Sequence, residues 1–324
     1  MAGSALVWVV RSGVRESAHQ VDVAVVDLDG ASVGSCGDPE RTLFARSSMK
    51  PLQAAVSLSL ARVVPDDREV AVMCASHNGE PVHLEAVRSL LARAGLEESD
   101  LQTPPMRPMD EESLEADPSR RRINSDCSGK HAGMLAACVG QGWPLSTYRS
   151  PEHPLQREVE EAVALVASSE PLDVGVDGCG VPVHALRLRS MATIYARFGD
   201  PARLDALAAH VHRATEAMLA EPYMVAGRNR MDTALMGSVP RVVAKGGAEG
   251  LACIALLDRG LGVAVRVRDG SHRAAPPVVI AVLEQLGVLG ADQVEALQAF
   301  ARPPVLGGGR PVGELQAEVA LELV

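Results

Sequence analysis

Lysine and the aromatic residues are both scarce in this chain of 324 residues. Of its 31 basic residues only three are lysines, at positions 50, 130 and 245, and the other 28 are arginines. Arginine stays protonated in proteins, whereas a buried lysine can change its protonation state and act as a base or a ligand. Because arginine already supplies the surface cations, each of the three lysines is a candidate site residue.

Aromatic residues make up 2% of the chain and the net charge is -10. Nucleic-acid binding relies on stacking platforms and basic surfaces, so we expect no nucleic-acid partner. No apolar run approaches the roughly 20 residues that a membrane span needs. The apolar run at residues 5–10 is too short for a signal peptide, so we expect a cytoplasmic protein without a membrane partner. Six scattered cysteines indicate reduced thiols or a metal site.

Strand patterns occupy both ends of the chain, and most of the helical patterns lie between them. Runs rich in valine predict strands at residues 5–10, 21–27, 32–36, 69–75, 239–244, 251–257 and 262–267. Apolar periodicity predicts helices at residues 51–61, 83–94, 132–139, 155–168, 184–197, 201–220, 276–287 and 291–301. This order favours one α+β domain over residues 1–324, three-layered and α/β/α-like, whose antiparallel sheet comes from both termini and is flanked by helices.

Ser47 and Lys50 form the first candidate catalytic pair. If a helix begins near Ser47, the two side chains are neighbours, about 5–6 Å apart at Cβ. Lys50 would then take the hydroxyl proton, and the start of the helix would support developing negative charge. The alternative is a serine that caps a helix, followed by an incidental lysine.

Lys245 and Gly246 open the sequence Lys-Gly-Gly after a predicted strand. Serine β-lactamases and penicillin-binding proteins combine a Ser-x-x-Lys motif with a later Lys-Thr-Gly motif, and the present pair has that order and a similar separation. A second cation near Lys50 would make Lys50 a better base. The alternative is an ordinary Gly-Gly hairpin with an exposed lysine.

Two cysteines and a lysine form a candidate metal site. Cys127 stands three residues before Lys130, and Cys179 follows in a glycine-rich stretch. Two thiolates are good zinc ligands but do not complete a site, and the candidates for the rest are His131, neutral Lys130, Asp177, water or a substrate. Two buried structural cysteines are the alternative.

Two further polar stretches carry candidate binding residues. The first follows the strand predicted at 69–75 and reads Ser76-His77-Asn78-Gly79-Glu80, where loops commonly carry function. A Ser-His-Asp triad is disfavoured there because Ser76 lacks a Gly-x-Ser-x-Gly turn. The second stretch contains Arg230, which is suited either to clamp a carboxylate or to join surface ion pairs.

As a set, these stretches resemble the zinc-containing, thermolabile L-asparaginase II family found in rhizobia. The matching segments are Arg46-Ser-Ser-Met-Lys-Pro-Leu-Gln-Ala54, Ala75-Ser-His-Asn-Gly-Glu80, Asn124-Ser-Asp-Cys-Ser-Gly-Lys-His131, Asp177-Gly-Cys-Gly-Val-Pro182, Arg230-Met-Asp-Thr233, Ala244-Lys-Gly-Gly-Ala-Glu-Gly250 and Asp269-Gly270. The chain departs from the resemblance at Arg266, where a lysine is expected.

The resemblance implies a fold akin to serine β-lactamases and glutaminases, a homodimer, and hydrolysis of L-asparagine to L-aspartate and ammonia. It implies catalytic roles for Ser47, Lys50, Ser76 and Lys245, and a Zn2+ ion held by Cys127, Lys130 and Cys179. The residues expected to contact the substrate are Arg46, His77, Asn78, Gly79, His131, Asp177, Arg230 and Gly246.

Three functions remain open at the level of sequence. An asparaginase, or a glutaminase, would release ammonia from the amide of an amino acid. A penicillin-recognising serine acyl hydrolase would share the Ser-x-x-Lys chemistry. A non-catalytic protein that binds a metal or an amino acid would keep the cysteines without needing Lys50. In the first case we expect Ser47 to attack, with Lys50 as its base, Ser76 and Lys245 assisting, and zinc organising the pocket.

Overall fold

The computed structural model of the chain describes residues 5–324, which form two compact units. The first unit contains the described residues up to Leu43 together with Leu186–Asp200 and Ser238–Val324. The second unit contains Phe44–Ala185 and Pro201–Gly237. A single functional domain over residues 1–324 stays a prediction.

The elements of residues 5–324 are numbered here in chain order. The strands are β1 (Ala5–Arg11), β2 (Val14–Val26), β3 (Ser32–Cys36), β4 (Thr42–Phe44), β5 (Asp173–Val176), β6 (Pro182–Arg187), β7 (Val242–Gly247), β8 (Leu251–Leu256), β9 (Leu261–Val267), β10 (Pro304–Gly307), β11 (Arg310–Glu318) and β12 (Glu322–Leu323). The α-helices are α1 (Lys50–Leu60), α2 (Asp67–Met73), α3 (Pro81–Arg93), α4 (Glu111–Ala116), α5 (Ser128–Gln141), α6 (Pro154–Ala167), α7 (Leu188–Arg197), α8 (Ala208–Ala220), α9 (Pro222–Ala226), α10 (Met231–Ser238), α11 (Ala275–Gln285), α12 (Ala291–Ala296) and α13 (Gln298–Ala301).

The first unit is built on an antiparallel sheet to which both ends of the chain contribute. Its main strand order is β10-β11-β1-β2-β9-β8-β7, and β3 pairs with β2 and with β12. The turn between β1 and β2 uses Ser12 and Gly13, which both have positive φ angles. Val21 lies opposite Val267, so the N-terminal strands and the later strands form one sheet, as the sequence predicts.

Helices flank this sheet, which confirms the predicted α+β fold class. The last six residues of β2 and all of β8 are buried, so both faces of the sheet are covered there. Helices α7 and α11 pack against it. Gly262 in β9 allows the close approach of α7, because a Cβ atom at this position would lie 1.9 Å from the carbonyl oxygen of Ala192.

The second unit is mainly helical. Helix α1 packs against α5 and α8, and α2 packs against α3, α5 and α8. The first eight residues of α1 are all buried, in agreement with the prediction of a helix buried on nearly all sides. Pro51 lies in the first turn of α1, where no backbone donor is needed. These contacts fix the positions at which α1 and α5 begin.

The predicted strand at residues 69–75 is wrong, because Asp67–Met73 form helix α2. Its start is stabilised by a capping box in which the Asp66 carboxylate accepts from the Glu69 backbone N–H at 3.0 Å. The Glu69 carboxylate accepts in return from the Asp66 N–H at 2.8 Å. The apolar run was too short for its periodicity to distinguish a buried strand from a buried helix.

The helix predicted at residues 184–197 is wrong over its first four residues, because β6 continues to Arg187 and α7 begins only at Leu188. Val174 pairs with His184, so tertiary pairing with β5 holds the first residues of this run in a strand.

The C-terminal strands β10, β11 and β12 were not predicted. In β11, Gly313 lies so close to β1 that a Cβ atom would be 1.9 Å from the Val10 carbonyl oxygen.

Candidate active site

All three lysines of the chain are buried. Lys50 and Lys245 are 0% exposed and Lys130 is 3% exposed. Lys50 is the first residue of α1 and Lys130 the third residue of α5, both in the second unit, whereas Lys245 lies in β7 of the first. A buried cationic side chain requires polar partners, so the surroundings of each lysine define its chemistry.

Lys50 lies at the centre of a hydrogen-bonded cluster in the second unit. Its Nζ atom donates to the Ala75 carbonyl oxygen at 2.6 Å and to Ser76 Oγ at 2.9 Å. It also lies 3.3 Å from the carbonyl oxygen of Asp126 and 3.6 Å from the carboxylate of that residue. Three hydrogen-bond acceptors thus match the three donors of a lysine ammonium group.

Ser47 lies at the start of the same chain segment. Arg46–Met49 form a 3-10 turn that leads directly into α1, and the Lys50 backbone N–H donates to the Ser47 carbonyl oxygen. No serine side chain caps either helix, so helix capping does not explain Ser47. Within the described residues the Lys50 amine donates to Ser76 and not to Ser47. Ser47 is half-buried, whereas Ser76 is only 6% exposed.

The segment that follows α2 places Ser76 beside Lys50. After the helix, the chain runs extended, with the Ser76 N–H donating to the Val225 carbonyl oxygen at 2.9 Å. The Asn78 N–H donates to the Ala226 carbonyl oxygen at 3.0 Å, and these two bonds fix the segment on both sides of His77. The polar stretch is therefore held in place by backbone bonds from a distant part of the chain.

His77, Asn78 and Gly79 all have partners within the second unit. Burial lowers the pKa of His77 well below its usual range. Its Nδ1 atom accepts from the Gly79 N–H at 3.1 Å, so the neutral ring donates from Nε2 to Ser128 Oγ at 2.9 Å. The Asn78 side chain accepts from Arg230 at 2.7 Å. The substrate contacts expected for these residues stay predictions.

Cys127, Lys130 and Cys179 come together in the second unit. The two cysteines are free and buried, and their side chains are hydrogen-bonded to each other. Lys130 Nζ lies 3.1 Å from Cys179 Sγ. The hydrogen bond from Cys127 and the charge of Lys130 lower the pKa of Cys179, and the same bond together with burial raises the pKa of Cys127. Burial disfavours the charged form of Lys130, but the nearby sulphurs and Asp177 raise its pKa overall.

Arg46 and Asp177 form an ion pair beside this cluster. Arg46 Nε donates to the Asp177 carboxylate at 2.7 Å, and the Gly178 N–H donates to the same oxygen at 2.8 Å. The Cys179 thiol lies 3.9 Å from the other carboxylate oxygen. Arg46 has a positive φ angle of 46°, which is uncommon for a residue other than glycine. These two residues, both expected to contact the substrate, therefore neutralise each other here.

His131 lies beside Cys179 and contacts Tyr148. Its Nδ1 atom lies 2.5 Å from the Tyr148 hydroxyl oxygen, and the two rings meet edge to face. Burial lowers the pKa of His131, while the negative charge of Cys179 opposes that shift. Burial also raises the pKa of Tyr148. Both rings are 0% exposed, so their hydrogen bonds are made away from solvent.

A zinc ion at the thiol cluster stays a prediction. No group of three His, Cys, Asp or Glu side chains among residues 5–324 is arranged to hold a metal. Two adjoining thiols are donors of the kind that zinc binds, and the buried Lys130 amine would have to lose its proton to join them. The nearby thiolate keeps Lys130 protonated. A cation bound by these groups would displace that proton from Lys130.

Lys245 and Gly246 belong to the first unit. Lys245 pairs with Cys253 in the sheet, and its Nζ atom donates to the Gly246 carbonyl oxygen at 2.6 Å. The predicted catalytic role of Lys245 and the predicted substrate contact of Gly246 both stay predictions.

Three polar contacts in the site had not been singled out from the sequence. Asp126 contacts Lys50, Ser128 contacts His77 and Tyr148 contacts His131. Asp126 and Ser128 lie inside the matching segment 124–131, so the segment itself was the signal that could have identified them. Tyr148 stands outside every motif and carried no sequence signal.

The described residues combine a mixed α/β fold with groups suited to nucleophilic hydrolysis, namely a buried lysine bonded to a serine. The model of one family, described as L-asparaginase II, matches residues 7–317. The chain therefore belongs to the L-asparaginase II family and is an amidohydrolase. A search of curated protein sequences finds no match.

The chain is also similar to several solved structures at low sequence identity. The native form of Mglu shares 13% identity at a TM-score of 0.48, over 85% of this chain and 67% of that one. For Mglu in its glutamate form the values are 15% and 0.48, over 84% of this chain and 62% of that one. A β-lactamase from Mycobacterium bovis shares 17% identity at a TM-score of 0.41, over 83% of this chain and 95% of that one. This chain therefore spans about two thirds of the length of the Mglu chains.

No helix within residues 5–324 combines the length and the apolar character that crossing a bilayer would require.

Proposed function

We propose that the protein hydrolyses L-asparagine to L-aspartate and ammonia. The observation that carries the proposal is the buried contact of 2.9 Å between Lys50 Nζ and Ser76 Oγ, in a chain of the L-asparaginase II family. A lysine that gives up its proton in such a position can accept one from a serine hydroxyl. Hydrolysis of an amide needs this proton transfer twice, once for each half of the reaction.

In the proposed reaction Ser47 attacks the carbonyl carbon of the substrate's side-chain amide. The hydroxyl proton passes to neutral Lys50, with Ser76 holding the amine and relaying the proton. Collapse of the tetrahedral intermediate breaks the C–N bond, and the same proton leaves with ammonia. Water then attacks the ester on Ser47, releases aspartate and restores the serine hydroxyl.

Exposure favours Ser47 over Ser76 as the attacking group. Ser47 is half-buried and therefore open to a substrate, whereas Ser76 is 6% exposed and already bonded to Lys50. An attacking oxygen has to reach about 3–3.5 Å from the carbonyl carbon before reaction. We therefore propose Ser47 as the nucleophile because it is more accessible. We propose Ser76 as the proton relay because it contacts Lys50.

The Arg46–Asp177 ion pair offers a way to recognise an amino-acid substrate. A free amino acid carries one carboxylate and one ammonium group, which match the charges of Arg46 and Asp177. Each protein group would exchange its present partner for the opposite charge of the substrate, so no buried charge would be left unpaired. We propose these residues as the binding site for the substrate's backbone charges.

We also propose a zinc ion held by Cys127, Lys130 and Cys179. When bound there, zinc would act as a Lewis acid that orients and polarises a substrate group. A homodimer is proposed from the family resemblance alone, and sedimentation of the purified protein at twice the 34.0 kDa chain mass would support it.

The nucleophile is tested by replacing Ser47 with alanine and measuring ammonia release from L-asparagine and from L-glutamine. The Ser47→Ala variant is expected to lose at least about 1000-fold in kcat, which corresponds to about 4 kcal/mol of barrier. Ser59→Ala is the matched control, because Ser59 is an exposed serine on α1, the helix that begins three residues after Ser47. Its activity is expected to stay unchanged.

A second measurement locates the ester. Wild-type protein quenched with acid during turnover should carry the aspartyl group on the peptide that contains Ser47. An ester on Ser76, or a Ser47→Ala variant that keeps activity within about tenfold, would exclude Ser47 as the nucleophile. Release of ammonia from glutamine but not from asparagine would contradict the proposed substrate.

A further inference from the structure

We propose that a pocket in the second unit binds a free α-amino acid through the opposite charges of Arg230 and Glu111. The pocket is lined by residues 78, 109–112 and 228–230 and has a volume of about 360 Å³, which is ordinary for a small-molecule site. Ser47, Lys50 and Ser76, the residues of the proposed reaction, are not among those that line it. The site is therefore additional to the one proposed for hydrolysis.

Asn78 joins the three chain segments that form the walls of the pocket. Its carbonyl oxygen accepts from the backbone N–H groups of Met109 and Asp110 at 2.8 and 3.1 Å. Its side-chain amide donates to the Arg228 carbonyl oxygen at 2.9 Å and accepts from Arg230 at 2.7 Å. Asn78 is 6% exposed, so these bonds are made away from solvent. The pocket is therefore built by the fold itself.

Three of the charged side chains that line the pocket already bind partners within the protein. Arg228 pairs with Glu112 and lies 3.7 Å from the Asp110 carboxylate. The other carboxylate oxygen of Asp110 accepts from the backbone N–H and the hydroxyl group of Ser113, at 2.9 and 2.8 Å. These side chains shape the wall, and two charged groups of the lining remain to be accounted for.

Arg230 is the remaining cation, and its guanidinium group is bound to a neutral partner. Its Nη1 atom donates to Asn78 Oδ1, and within residues 5–324 it has no carboxylate partner. Arg46, by contrast, is paired with Asp177. The bond to Asn78 fixes the guanidinium group and leaves N–H donors for a ligand carboxylate, which arginine can bind with two parallel hydrogen bonds. The contacts of Asn78 and Arg230 with the substrate of the proposed reaction stay predictions.

Glu111 is the remaining anion of the lining. It is the exposed first residue of α4, and no partner of its carboxylate is found among the described residues. One available guanidinium group and one available carboxylate match the carboxylate and the ammonium group of an α-amino acid. Because the lining contains two arginines and three acidic residues, a neutral amino acid suits it better than an acidic one.

The binding test uses L-homoserine, an α-amino acid as long as L-asparagine that has no amide to hydrolyse. Met109 lines the pocket, so a ¹³C label in the methyl groups of methionine reports a bound ligand. The Met109 signal is identified by its loss in a Met109→Leu variant. We expect this signal to move saturably as L-homoserine is added to the wild type. A Met109 signal that millimolar L-homoserine leaves in place would overturn the proposal.

The role of Arg230 is tested in the same spectrum with Arg230→Gln. This variant should bind L-homoserine at least about tenfold more weakly, because a charge-assisted contact with the carboxylate is lost. Arg62→Gln is the matched control, since Arg62 is an exposed arginine of the same unit that also lacks a carboxylate partner among the described residues. It should bind as the wild type does. Equal affinities of Arg230→Gln and the wild type would contradict the proposal.

Glu111→Gln provides a test that does not disturb folding, because it removes only the charge of an exposed side chain. It should weaken the binding of L-homoserine a few-fold, as expected for an ion pair in contact with water. It should not weaken the binding of γ-hydroxybutyrate, which is the same chain without the ammonium group. An equal loss for both ligands would show that Glu111 does not bind the ammonium group.

These outcomes are separable from those of the proposed reaction. An Arg46→Gln variant lacks one of the residues proposed to bind the charges of the substrate, and its Met109 signal should respond to L-homoserine as in the wild type. Loss of that response would show that the pocket is not an independent site and would refute the proposal. A Ser47→Ala variant that stays active would exclude the proposed nucleophile and leave the response of Met109 as measured.

Discussion

His184 is 2% exposed in β6, and burial lowers its pKa to about 4. An unfolded histidine has a pKa of about 6.5, so between these two values the unfolded chain binds a proton that the folded chain does not. Stability contributed by neutral His184 is therefore present above about pH 6.5 and is lost as the pH falls toward 4. The shift comes from desolvation alone.

A His184→Leu variant should lose less stability in acid than the wild type. From pH 7 to pH 4.5, the unfolding free energy of the wild type is expected to fall by about 2–3 kcal/mol more than that of the variant. Urea unfolding of both proteins at the two pH values measures it. His212→Leu is the control, because the side chain of His212 is 64% exposed. Equal acid dependence in the His184 variant and the wild type would contradict the prediction.

Residue chemistry was the part of the site that the sequence revealed best. The scarcity of lysine singled out three positions, and all three side chains are buried. The partners of Lys50 could not be read in the same way. Ser76 and Asp126 lie 26 and 76 residues away along the chain, and only the packing of α2 and α5 against α1 brings them close.

At the scale of elements, the site depends on the close approach of α2 and α5. A Cβ atom on Gly129 would lie 2.0 Å from the carbonyl oxygen of Val72, so the second residue of α5 has to be a glycine. Lys130 is the next residue along α5. The distance between the two helices therefore also sets the position of Lys130 relative to α2.

A Gly129→Ala variant should lower the free energy of unfolding by about 3 kcal/mol, at the upper end of overpacking effects, because the atom it meets is backbone. Gly237→Ala in α10 is the matched control, since no atom lies within 4 Å of its added Cβ. That change should be neutral or should stabilise by up to about 1 kcal/mol through helix propensity. Urea unfolding compares the two. Similar stabilities would show that α2 and α5 separate without cost.

Local signals and tertiary context conflict most clearly in the elements that were predicted wrongly. The valine-rich run at 69–75 matches a strand, but the capping box of Asp66 and Glu69 begins a helix there. Residues 184–187 match the period of a helix, but pairing with β5 makes them a strand. For the run at 69–75, the capping box is a local signal that can be read from the sequence. For residues 184–187, the structure depends on pairing with a separate strand, which local periodicity does not reveal.

At the scale of the whole molecule, a zinc ion would connect folding to metal binding. Its proposed ligands come from α5, the residue before it, and the turn between β5 and β6. These segments are about 50 residues apart in the chain, so an unfolded chain would hold them together poorly. A metal bound only by the folded state stabilises it by mass action.

Removing zinc with a chelator should therefore lower the unfolding midpoint of the protein. At free zinc about 1000-fold above the dissociation constant, the stabilisation is expected to be about 4 kcal/mol. A Cys127→Ser variant should show no response to either chelator or added zinc. Cys138→Ser, which replaces a buried cysteine elsewhere on α5, should respond as the wild type does. A wild-type midpoint that does not depend on zinc would contradict the proposed site.

The α+β class, the sheet shared by both ends of the chain and the membership in the L-asparaginase II family all follow from the amino-acid sequence. These depend on local periodicity and on short motifs, which are readable along the chain. The contacts of Lys50 with Ser76, of Arg46 with Asp177 and of Tyr148 with His131 are visible only in the folded protein. These contacts join residues that are 17 to 131 positions apart in the chain. Burial favours these pairings because a polar group left unpaired away from water would be costly.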